Sequence, residues 1–335
     1  MNPLQISVIG CGYWGKKVIR EIVGMSQNEG NIRLHSIVDN FEESLLQSQL
    51  EFGSGFHYEK DYRLLANDPT LNAVHICTPN NSHFEIAATF LSHGKHVLVE
   101  KPLSLKTKEA YELVRLAREN QCILCVGHVH RFNNGVRELK RVIDDGLLGE
   151  IYYANLAWTG HMGPQLQREV ITDLAPHPFD ISNYIFDMWP ERIVCKGHGY
   201  RTNQNEEIAH ITAEYVTGLS VHIEVSWLDY RRKRQVAVVG SKGMAILDCV
   251  KQKLILQYSD DTREVPVTPS NTIGNLIAHF ADCIRDTQYS NSLLNQADGL
   301  LGARVVSLLE ASRDSMTQER TIRIPPLLVQ EIHAR

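Results

Sequence analysis

The sequence lacks the features that mark several classes of protein. No apolar run among its 335 residues approaches the length of a bilayer-spanning helix. The segment Met1–Gln5 has no basic region ahead of an apolar run, so we expect no signal peptide. The formal net charge is −5, which provides no electrostatic basis for binding nucleic acid or an anionic membrane. We therefore expect a cytoplasmic protein of ordinary globular composition, with neither a nucleic acid nor a membrane as its partner.

The cysteines offer no disulfide framework. There are seven, an odd number scattered along the chain, which is typical of reduced thiols. Cys122 and Cys125 form a Cys-x-x-Cys pair, a spacing used in redox and zinc motifs. They lie in a strand-like run, where residues three apart point to opposite faces, and no second pair exists to complete a tetrahedral site. We predict no metal site.

Strand and helix patterns alternate through the first part of the chain. We predict strands over 6–9, 34–38, 73–77, 95–99 and 123–126, with helical patterns between them. This alternation predicts a doubly wound parallel sheet. Because 335 residues exceed one ordinary core, we expect a second domain.

A glycine-rich turn follows the first strand. Gly10, Gly12 and Gly15 form a GxGxxG between this strand and a helical pattern. In a dinucleotide site these glycines make a tight turn, admit a pyrophosphate and let helix and strand pack closely. The phosphate then meets free N–H groups at the start of the helix.

Asp39 ends the second predicted strand. A carboxylate at this point accepts hydrogen bonds from the adenosine ribose hydroxyls and repels a 2′-phosphate. The next residues, Asn40, Phe41 and Glu42, are not basic. The pattern therefore favours NAD over NADP, although Asp39 could instead cap the next helix.

Two further strand ends carry polar residues. Thr78-Pro79-Asn80 follows one strand, and Ser82 and Glu85 beyond it have the spacing of a capping box. The other strand ends in Glu100-Lys101-Pro102, and Pro102 cannot extend a ladder. Ligands of open parallel sheets bind beyond the carboxyl ends of strands, so Lys101 could reach a substrate. The alternative is a solvated lysine at a strand end.

Together these motifs resemble the Gfo/Idh/MocA oxidoreductase family over nearly the whole chain. The resemblance is carried by the GxGxxG, Thr78-Pro79-Asn80-x-x-His83, Glu100-Lys101-Pro102 and Gly127-His128-Val129-His130-Arg131-Phe132-Asn133. It implies an α/β fold, with an N-terminal Rossmann domain built on a doubly wound parallel sheet. A C-terminal α/β domain with a large, open, mostly antiparallel sheet would follow. We place an NAD-binding domain at 1–125 and a substrate-binding and oligomerisation domain at 126–335, with the helix near 297–312 packing back on the first.

Asp173 and His177 are the acid/base candidates of the second half. They are four residues apart, and a carboxylate beside an imidazole orients it and favours its protonated form. An isolated pair with this spacing is more often a pair on a surface helix. The family has an Asp-x-x-x-His here whose His is the acid/base. Pro176 and Pro178 flank His177, so we expect a helix to begin there, with Asp173 just outside it.

The resemblance extends these candidates to a full site. The cofactor-binding set is Gly10, Gly12, Tyr13, Trp14, Gly15, Asp39, Thr78, Pro79, Asn80, His83, Glu100, Lys101 and His128. The substrate-binding set is Lys101, Arg131, His161, Arg168, Asp173 and His177, and the catalytic set is Lys101, Asp173 and His177.

The implied activity is NAD-dependent oxidation of a sugar hydroxyl. Residues 173–177 and 225–229 most resemble family members that oxidise a ring hydroxyl, often at C3, of nucleotide-activated sugars. A free polyol or inositol dehydrogenase is the first alternative. A sensor that binds dinucleotide and ligand without turnover is the second.

Two surface features stay open. The basic run Arg231–Arg234 beside Trp227 is either a solvated hairpin end or a contact for a phosphorylated substrate or a neighbouring subunit. Four strand-like runs in the second half would expose one broad face, and large apolar patches are uncommon on monomers. We therefore expect a homodimer or homotetramer formed through that sheet.

Overall fold

A computed structural model describes residues 3–28, 30–166, 168–201, 205–289 and 294–325. The chain divides into two compact units, one of residues 1–128 with 273–306 and one of residues 129–272 with 307–335. The C-terminal residues 326–335, for which the sequence carries no usable signal, lie outside the described part.

Unit 1 is an alternation of strands and helices. Its elements are β1 (Leu4–Ile9), α1 (Tyr13–Asn28), β2 (Ile32–Val38), α2 (Glu42–Phe52), β3 (His57–Glu59), α3 (Arg63–Ala66), β4 (Ala73–Ile76), α4 (His83–Ser92), β5 (His96–Val99), α5 (Thr107–Glu119) and β6 (Leu124–Val126). A 3₁₀ turn over Asn80–Ser82 precedes α4. The sheet has the order β3-β2-β1-β4-β5-β6, and all its strand pairs are parallel. The chain reverses its winding direction between β1 and β4, which is where open sheets of this kind bind ligands.

The core of unit 1 lies where helices cover the parallel strands. Every residue of β4 is buried, as expected of a strand covered on both faces. Ala303 and Val306 belong to the same buried cluster as Val99 and Val126, so residues far along the chain complete this core.

Unit 2 is built on a larger, mixed sheet. Its elements are α6 (Asn134–Asp144), β7 (Ile151–Thr159), α7 (Val170–Leu174), α8 (Pro176–Phe186), β8 (Arg192–His198), β9 (Ile208–Glu214), β10 (Ser220–Ser226), β11 (Lys233–Gly240), β12 (Met244–Asp248), β13 (Lys253–Gln257) and β14 (Thr262–Val265). The last elements of the chain are α9 (Thr272–Tyr289), α10 (Gly299–Gln318) and β15 (Ile322–Arg323). Of these, α9 from residue 273 and α10 up to residue 306 belong to unit 1. A 3₁₀ turn over Val129–Phe132 precedes α6. The sheet order is β14-β13-β12-β11-β7-β10-β9-β8-β15, and only β7 and β10 pair in parallel. The predicted fold class is confirmed.

The second sheet buries one face and leaves polar groups on the other. Along β7, the side chains of Ala154, Leu156 and Trp158 are buried, whereas Tyr153 and Asn155 are exposed. This alternation is the period of a strand with one covered face. The uncovered face is polar and aromatic rather than apolar, so apolar exposure gives the predicted oligomer less support than the sequence suggests.

Two local expectations are wrong. Ser82 does not cap α4, because its Oγ lies 2.8 Å from both Thr78 Oγ1 and the Pro79 carbonyl, while Glu85 accepts from Tyr62 and Arg63. The sequence patterns also miss several strands. Of these, β3 and β14 contain no buried residue, so no apolar alternation marks them. Among the described residues, none of the helices combines the length and hydropathy of a bilayer-spanning segment.

Candidate active site

The glycine turn after β1 has the shape that a pyrophosphate needs. Gly10 has a φ of +93°, and a Cβ there would lie 2.8 Å from the Thr78 nitrogen. A Cβ on Gly15 would lie 1.9 Å from the Gly10 carbonyl oxygen, so helix and strand can approach only with glycine there. On Gly12, by contrast, a Cβ would meet nothing within 4 Å. This open side, next to the first N–H groups of α1, fits a dinucleotide phosphate.

Asp39 holds the glycine turn through its carboxylate. Its Oδ2 accepts a 2.9 Å hydrogen bond from the Cys11 N–H, and its Oδ1 accepts a 3.0 Å bond from the Phe41 N–H. The residue preceding α2 is Phe41, which makes no side-chain cap, so the alternative reading of Asp39 as a helix cap is wrong. The carboxylate is thus fixed in place before any ligand arrives.

His83 ties together the loops that follow β4 and β5. It is fully buried, with Nδ1 2.8 Å from the Pro102 carbonyl and Nε2 2.9 Å from the Thr78 carbonyl. Burial lowers the pKa of His83, although the two carbonyls work in the opposite direction. His83 therefore holds the loops after β4 and β5 together.

Glu100 is held in a closely fitted buried site. Its Oε1 lies 3.1 Å from His75 Nε2, and it is 8% exposed. Burial raises the pKa of Glu100, but the hydrogen bonds and charges of its neighbours, His75 first and then Trp14 and Lys101, together outweigh burial, and the net shift is downward. A Cβ on Gly127 would lie 2.5 Å from Glu100 Oε2, so a glycine is needed beside the carboxylate.

His75, Cys77 and Glu100 are also the one group of possible metal ligands found among the described residues. Their ligand atoms lie within 4.8 Å of one another. Burial and the Glu100 charge raise the pKa of Cys77 well above its usual value, which disfavours the thiolate that a metal requires. The His75–Glu100 hydrogen bond accounts for two of the three groups, and we assign no metal to them.

The other predicted cofactor residues of unit 1 differ in exposure. Tyr13 is 80% exposed, with the Lys17 ammonium 4.4 Å from its ring centroid. Lys101 is half-buried directly after β5, and His128 is buried. The remaining members are Trp14 and Asn80, which are half-buried, and Pro79, which is exposed.

In unit 2, the prolines beside His177 fit the first turn of a helix. Pro176 is the first residue of α8, where a backbone N–H has no intrahelical partner, so neither Pro176 nor Pro178 costs a hydrogen bond. The helix begins at Pro176 and Asp173 lies outside it, both as expected, with Asp173 in the short preceding helix α7. Ala175 between the two helices has helical angles, φ −68° and ψ −20°, so the four-residue spacing still directs Asp173 and His177 to one side.

The His177 ring lies in a cluster of three rings. Its centroid is 5.0 Å from that of His130, at an interplanar angle of 85°, and 6.3 Å from that of Trp158. His130 and Trp158 also meet edge to face, at 5.3 Å. Trp158 is fully buried near the end of β7, while His177 is half-buried. Packing therefore restricts the imidazole to few orientations, as an acid/base requires.

Arg234 contributes a positive charge near Asp173. Burial lowers the pKa of Arg234 to about 10, with a further lowering from Arg232, whereas the Asp173 carboxylate acts to raise it. The Arg234 Nη1 donates a 2.8 Å hydrogen bond to the Thr159 carbonyl at the end of β7. Asp173 is thus placed to interact with a cation that β11 supplies.

Arg131, a predicted substrate-binding residue, is buried against α8. It is 7% exposed, its Nε donates to Asp180 Oδ1 at 2.6 Å and its Nη2 donates to Asn183 Oδ1 at 2.5 Å. Its guanidinium also lies over the Tyr184 ring. Through these contacts Arg131 holds α8, the helix that carries His177, and its contact with a substrate stays a prediction.

His161 and its neighbours form an exposed aromatic and basic surface. The ring of His161 stacks on that of Tyr230 at 4.3 Å and 8°, and Tyr230 is 84% exposed. Asp229 accepts from the Arg231 backbone and pairs with Arg231 and Lys233, which lowers the pKa of its carboxyl to about 2. Arg168 is exposed as well.

Five side chains that interact with predicted site residues were not themselves predicted. His75, His130, Trp158, Arg234 and Tyr230 are absent from the predicted sets, although His130 stands inside the motif 127–133. The sequence held a usable signal for His130, which follows the predicted strand 123–126, and for Tyr230, which adjoins the basic run Arg231–Arg234. His75 lies inside a strand, where nothing local distinguishes it, whereas Arg234 belongs to the basic run Arg231–Arg234 that the sequence singles out.

Comparison with known proteins gives two family matches. A model of an oxidoreductase family with an NAD-binding Rossmann fold matches residues 4–128. A model of the GFO/IDH/MocA C-terminal domain matches residues 136–246.

Individual relatives are more distant. A 2,7-anhydro-N-acetylneuraminate hydratase of Mediterraneibacter gnavus is 24% identical over 74% of this chain and 68% of its own length. A myo-inositol 2-dehydrogenase of Thermotoga maritima is 25% identical over 76% of this chain and 78% of its own. The solved UDP-N-acetylglucosamine 3-dehydrogenase of Acidithiobacillus ferrooxidans is 21% identical, with a TM-score of 0.82, covering 95% of this chain and 99% of that one. At this identity, the structural likeness establishes the fold alone.

Proposed function

Because the chain belongs to the Gfo/Idh/MocA oxidoreductase family, we propose that it is an NAD-dependent dehydrogenase acting on a ring hydroxyl of a sugar. The finer proposal is oxidation at C3 of a nucleotide-activated sugar. The observation that carries the dehydrogenase assignment is the glycine turn with its open Gly12 side and a pre-positioned Asp39.

We assign the chemistry to three residues. Bound NAD would supply the hydride acceptor at nicotinamide C4. His177 accepts the hydroxyl proton, Asp173 holds and polarises the imidazole, and Lys101 donates a hydrogen bond to the substrate oxygen. A positioned acid/base typically contributes about 10²–10⁴-fold in rate. The ring cluster around His177 supports this assignment, because it limits the motion of the imidazole.

NAD is the proposed cofactor rather than NADP. The Asp39 carboxylate is held by two backbone N–H groups, so it cannot turn away from a 2′-phosphate without losing both bonds. The three residues that follow it are not basic. A 2′-phosphate would therefore meet a fixed negative charge.

The His161–Tyr230 surface supports a nucleotide-activated substrate. A stacked, exposed aromatic pair offers a face to a nucleobase, and the neighbouring Arg231 and Arg232 offer donors to a diphosphate. The 3-dehydrogenase among the structural neighbours acts, by its name, on a sugar of this kind.

The use of a nucleotide-activated substrate is tested by comparing kcat/KM for UDP- and dTDP-sugars in the parent and in Tyr230→Ala and Arg232→Ala. Both variants should raise KM for the nucleotide-sugar and leave a free sugar unaffected.

Two other functions stay in view. The myo-inositol 2-dehydrogenase relative favours a free polyol as substrate. The name of the hydratase relative describes a reaction without net oxidation or reduction. A thermal-shift panel with NAD and nucleotide-sugars, free sugars or inositols separates the substrate classes, since a true ligand stabilises by mass action. Tight dinucleotide binding without turnover on any ligand would support the sensor.

The catalytic assignment is tested by Lys101→Ala, His177→Ala and their combination. Each single variant should lose about 10²-fold or more in kcat/KM and bind NADH almost as the parent does. The double variant should lose much less than the product of the two, because residues that act on one step are non-additive. Near-full turnover by either single variant on the true substrate would remove that residue from the mechanism.

A further inference from the structure

The short helix that carries Asp173 has no cap of its own. α7 begins at Val170, and the side chain of the preceding residue, Glu169, makes no cap hydrogen bond. The first backbone N–H groups of a helix have no intrahelical acceptor, so a buried helix start needs acceptors from elsewhere. Val170 and Ile171 are fully buried, so bulk water does not provide these acceptors.

Glu206 provides two acceptors from another part of unit 2. Its backbone carbonyl accepts a 3.2 Å hydrogen bond from the Val170 N–H. Its Oε1 accepts a 3.1 Å hydrogen bond from the Ile171 N–H, 35 positions away along the chain. Glu206 lies two residues before β9 and is 7% exposed. One buried residue thus takes the place of the missing cap.

The start of α7 decides where Asp173 lies. The Asp173 N–H donates to the Glu169 carbonyl at 3.1 Å, and the Ala175 N–H donates to the Ile171 carbonyl at 3.0 Å. Asp173 is half-buried, whereas the other residues of α7 are buried. Because these hydrogen bonds join the first turn to the next, a displacement of the first turn moves Asp173 with it.

A second set of contacts holds the same turn from another side. Arg313 Nη1 donates to Glu169 Oε2 at 3.1 Å and lies 3.3 Å from Thr172 Oγ1. The Thr172 hydroxyl donates to Glu169 Oε2 at 3.0 Å. These side-chain contacts leave the backbone N–H groups at the helix start to Glu206.

The surroundings of Glu206 favour an acceptor oxygen over a charge. Burial raises the pKa of the Glu206 carboxyl, and the Glu169 carboxylate acts in the same direction. Hydrogen bonds from the backbone N–H groups of Glu206 and Ile171, and the charge of Arg313, oppose this shift without cancelling it. An uncharged side chain of the same length can therefore make the same bond, because an amide oxygen also accepts from an N–H.

We propose that Glu206 is a positioning residue for the acid/base pair, because it caps α7 and so fixes where Asp173 lies relative to His177. This role rests on the proposed function, in which Asp173 holds the His177 imidazole. It depends on the reach of the Glu206 oxygen to the Ile171 N–H rather than on the carboxylate charge.

The experiment compares full-length variants that differ in one acceptor. Glu206→Gln keeps the length and the oxygen, whereas Glu206→Met keeps the length and loses the oxygen. Glu206→Met should lower kcat by about tenfold or more with a smaller change in KM, because displacements near 1 Å in an active site can cost about 10²-fold. Glu206→Gln should have the kcat of the parent. Parental kcat in Glu206→Met, or a Glu206→Gln as slow as Glu206→Met, overturns the proposal.

Glu207→Met is the matched control for a general loss of stability. Glu207 is 1% exposed, and its Oε2 accepts from the Tyr200 N–H at 2.9 Å and from the Arg201 N–H at 2.7 Å. This variant therefore loses the acceptors of a buried carboxylate without touching the start of α7. It should lower the Tm and keep the kcat of the parent. Equal losses of kcat in Glu207→Met and Glu206→Met contradict a specific role of Glu206.

Hydrogen–deuterium exchange tests the cap without turnover. Peptides that cover 170–174 should exchange faster in Glu206→Met than in the parent or Glu206→Gln, because the Ile171 N–H loses its acceptor. Unchanged exchange overturns the proposal. If Glu206→Met does not fold, Glu206→Asp replaces it with the same expectations, because its carboxylate is one methylene too short to reach that N–H.

Asp173→Asn separates the role of Glu206 from the proposed function. Parental kcat in Asp173→Asn would refute the catalytic use of Asp173 on which the proposed function depends. A slow Asp173→Asn beside a Glu206→Met with parental kcat would refute the role of Glu206 alone. We expect both variants to be slow.

Discussion

Replacing Gly127 with alanine tests whether the exact placement of Glu100 matters. The new Cβ would lie 2.5 Å from Glu100 Oε2, and ordinary contact begins at 3.4 Å, so the carboxylate must retreat by about 0.9 Å. Its hydrogen bond to His75 is 3.1 Å long and would not survive such a shift. Disturbing a buried charged hydrogen bond of this kind costs about 1–3 kcal/mol. Displacements near 1 Å in an active site can cost about 10²-fold in rate.

We therefore expect Gly127→Ala to lower the free energy of unfolding by about 1–3 kcal/mol and kcat/KM by about 10²-fold. Urea unfolding and steady-state NADH production measure the two effects. Gly24→Ala is the matched control, because its Cβ would meet nothing within 4 Å and alanine favours a helix interior by about 0.5–1 kcal/mol. A Gly127→Ala protein with the stability and turnover of the parent would refute the reasoning about Glu100.

Four further predictions concern other parts of the molecule. Asp39→Ser should weaken NADH binding by about 10–100-fold without weakening NADPH binding, since a charged hydrogen bond contributes about 1.5–3 kcal/mol; fluorescence titration of both cofactors checks this. Burial lowers the pKa of His96 to about 4, so on acidification the unfolded chain takes up a proton first, and stability should fall by about 3 kcal/mol between about pH 6.5 and 4. Urea unfolding across this range should show a loss of stability smaller by about 3 kcal/mol in His96→Gln than in the parent. Arg131→Met should cost about 3–5 kcal/mol by removing the cation beside buried Asp180, and adding Asp180→Asn should recover part of it in the same assay. Sedimentation should show a homodimer or homotetramer of the 38.0 kDa chain, and Tyr153→Arg, on the uncovered face of the second sheet, should shift it toward monomer; a monomeric parent would contradict the predicted interface.

Local sequence patterns determined the parts of this protein whose physics is local. The glycines of the turn after β1 are required by a positive φ at Gly10 and by the close approach at Gly15, and both needs follow from their spacing. The start of α8 at Pro176 follows from the missing N–H of proline, which only the first turn of a helix tolerates. The parallel sheet follows from alternating strand and helix patterns.

Only the tertiary structure decided which distant side chains meet. Cys122 and Cys125 form a local Cys-x-x-Cys, yet their sulfurs meet different groups, the Leu91 and Asn120 carbonyls for Cys122 and Asn295 Oδ1 for Cys125, because neighbours three apart on a strand point to opposite faces. His75 meets Glu100 because β4 and β5 are paired, and a strand pattern does not reveal what its polar residue faces. Such contacts depend on strand order and helix packing, which bring together residues whose separation along the chain carries no periodic signal.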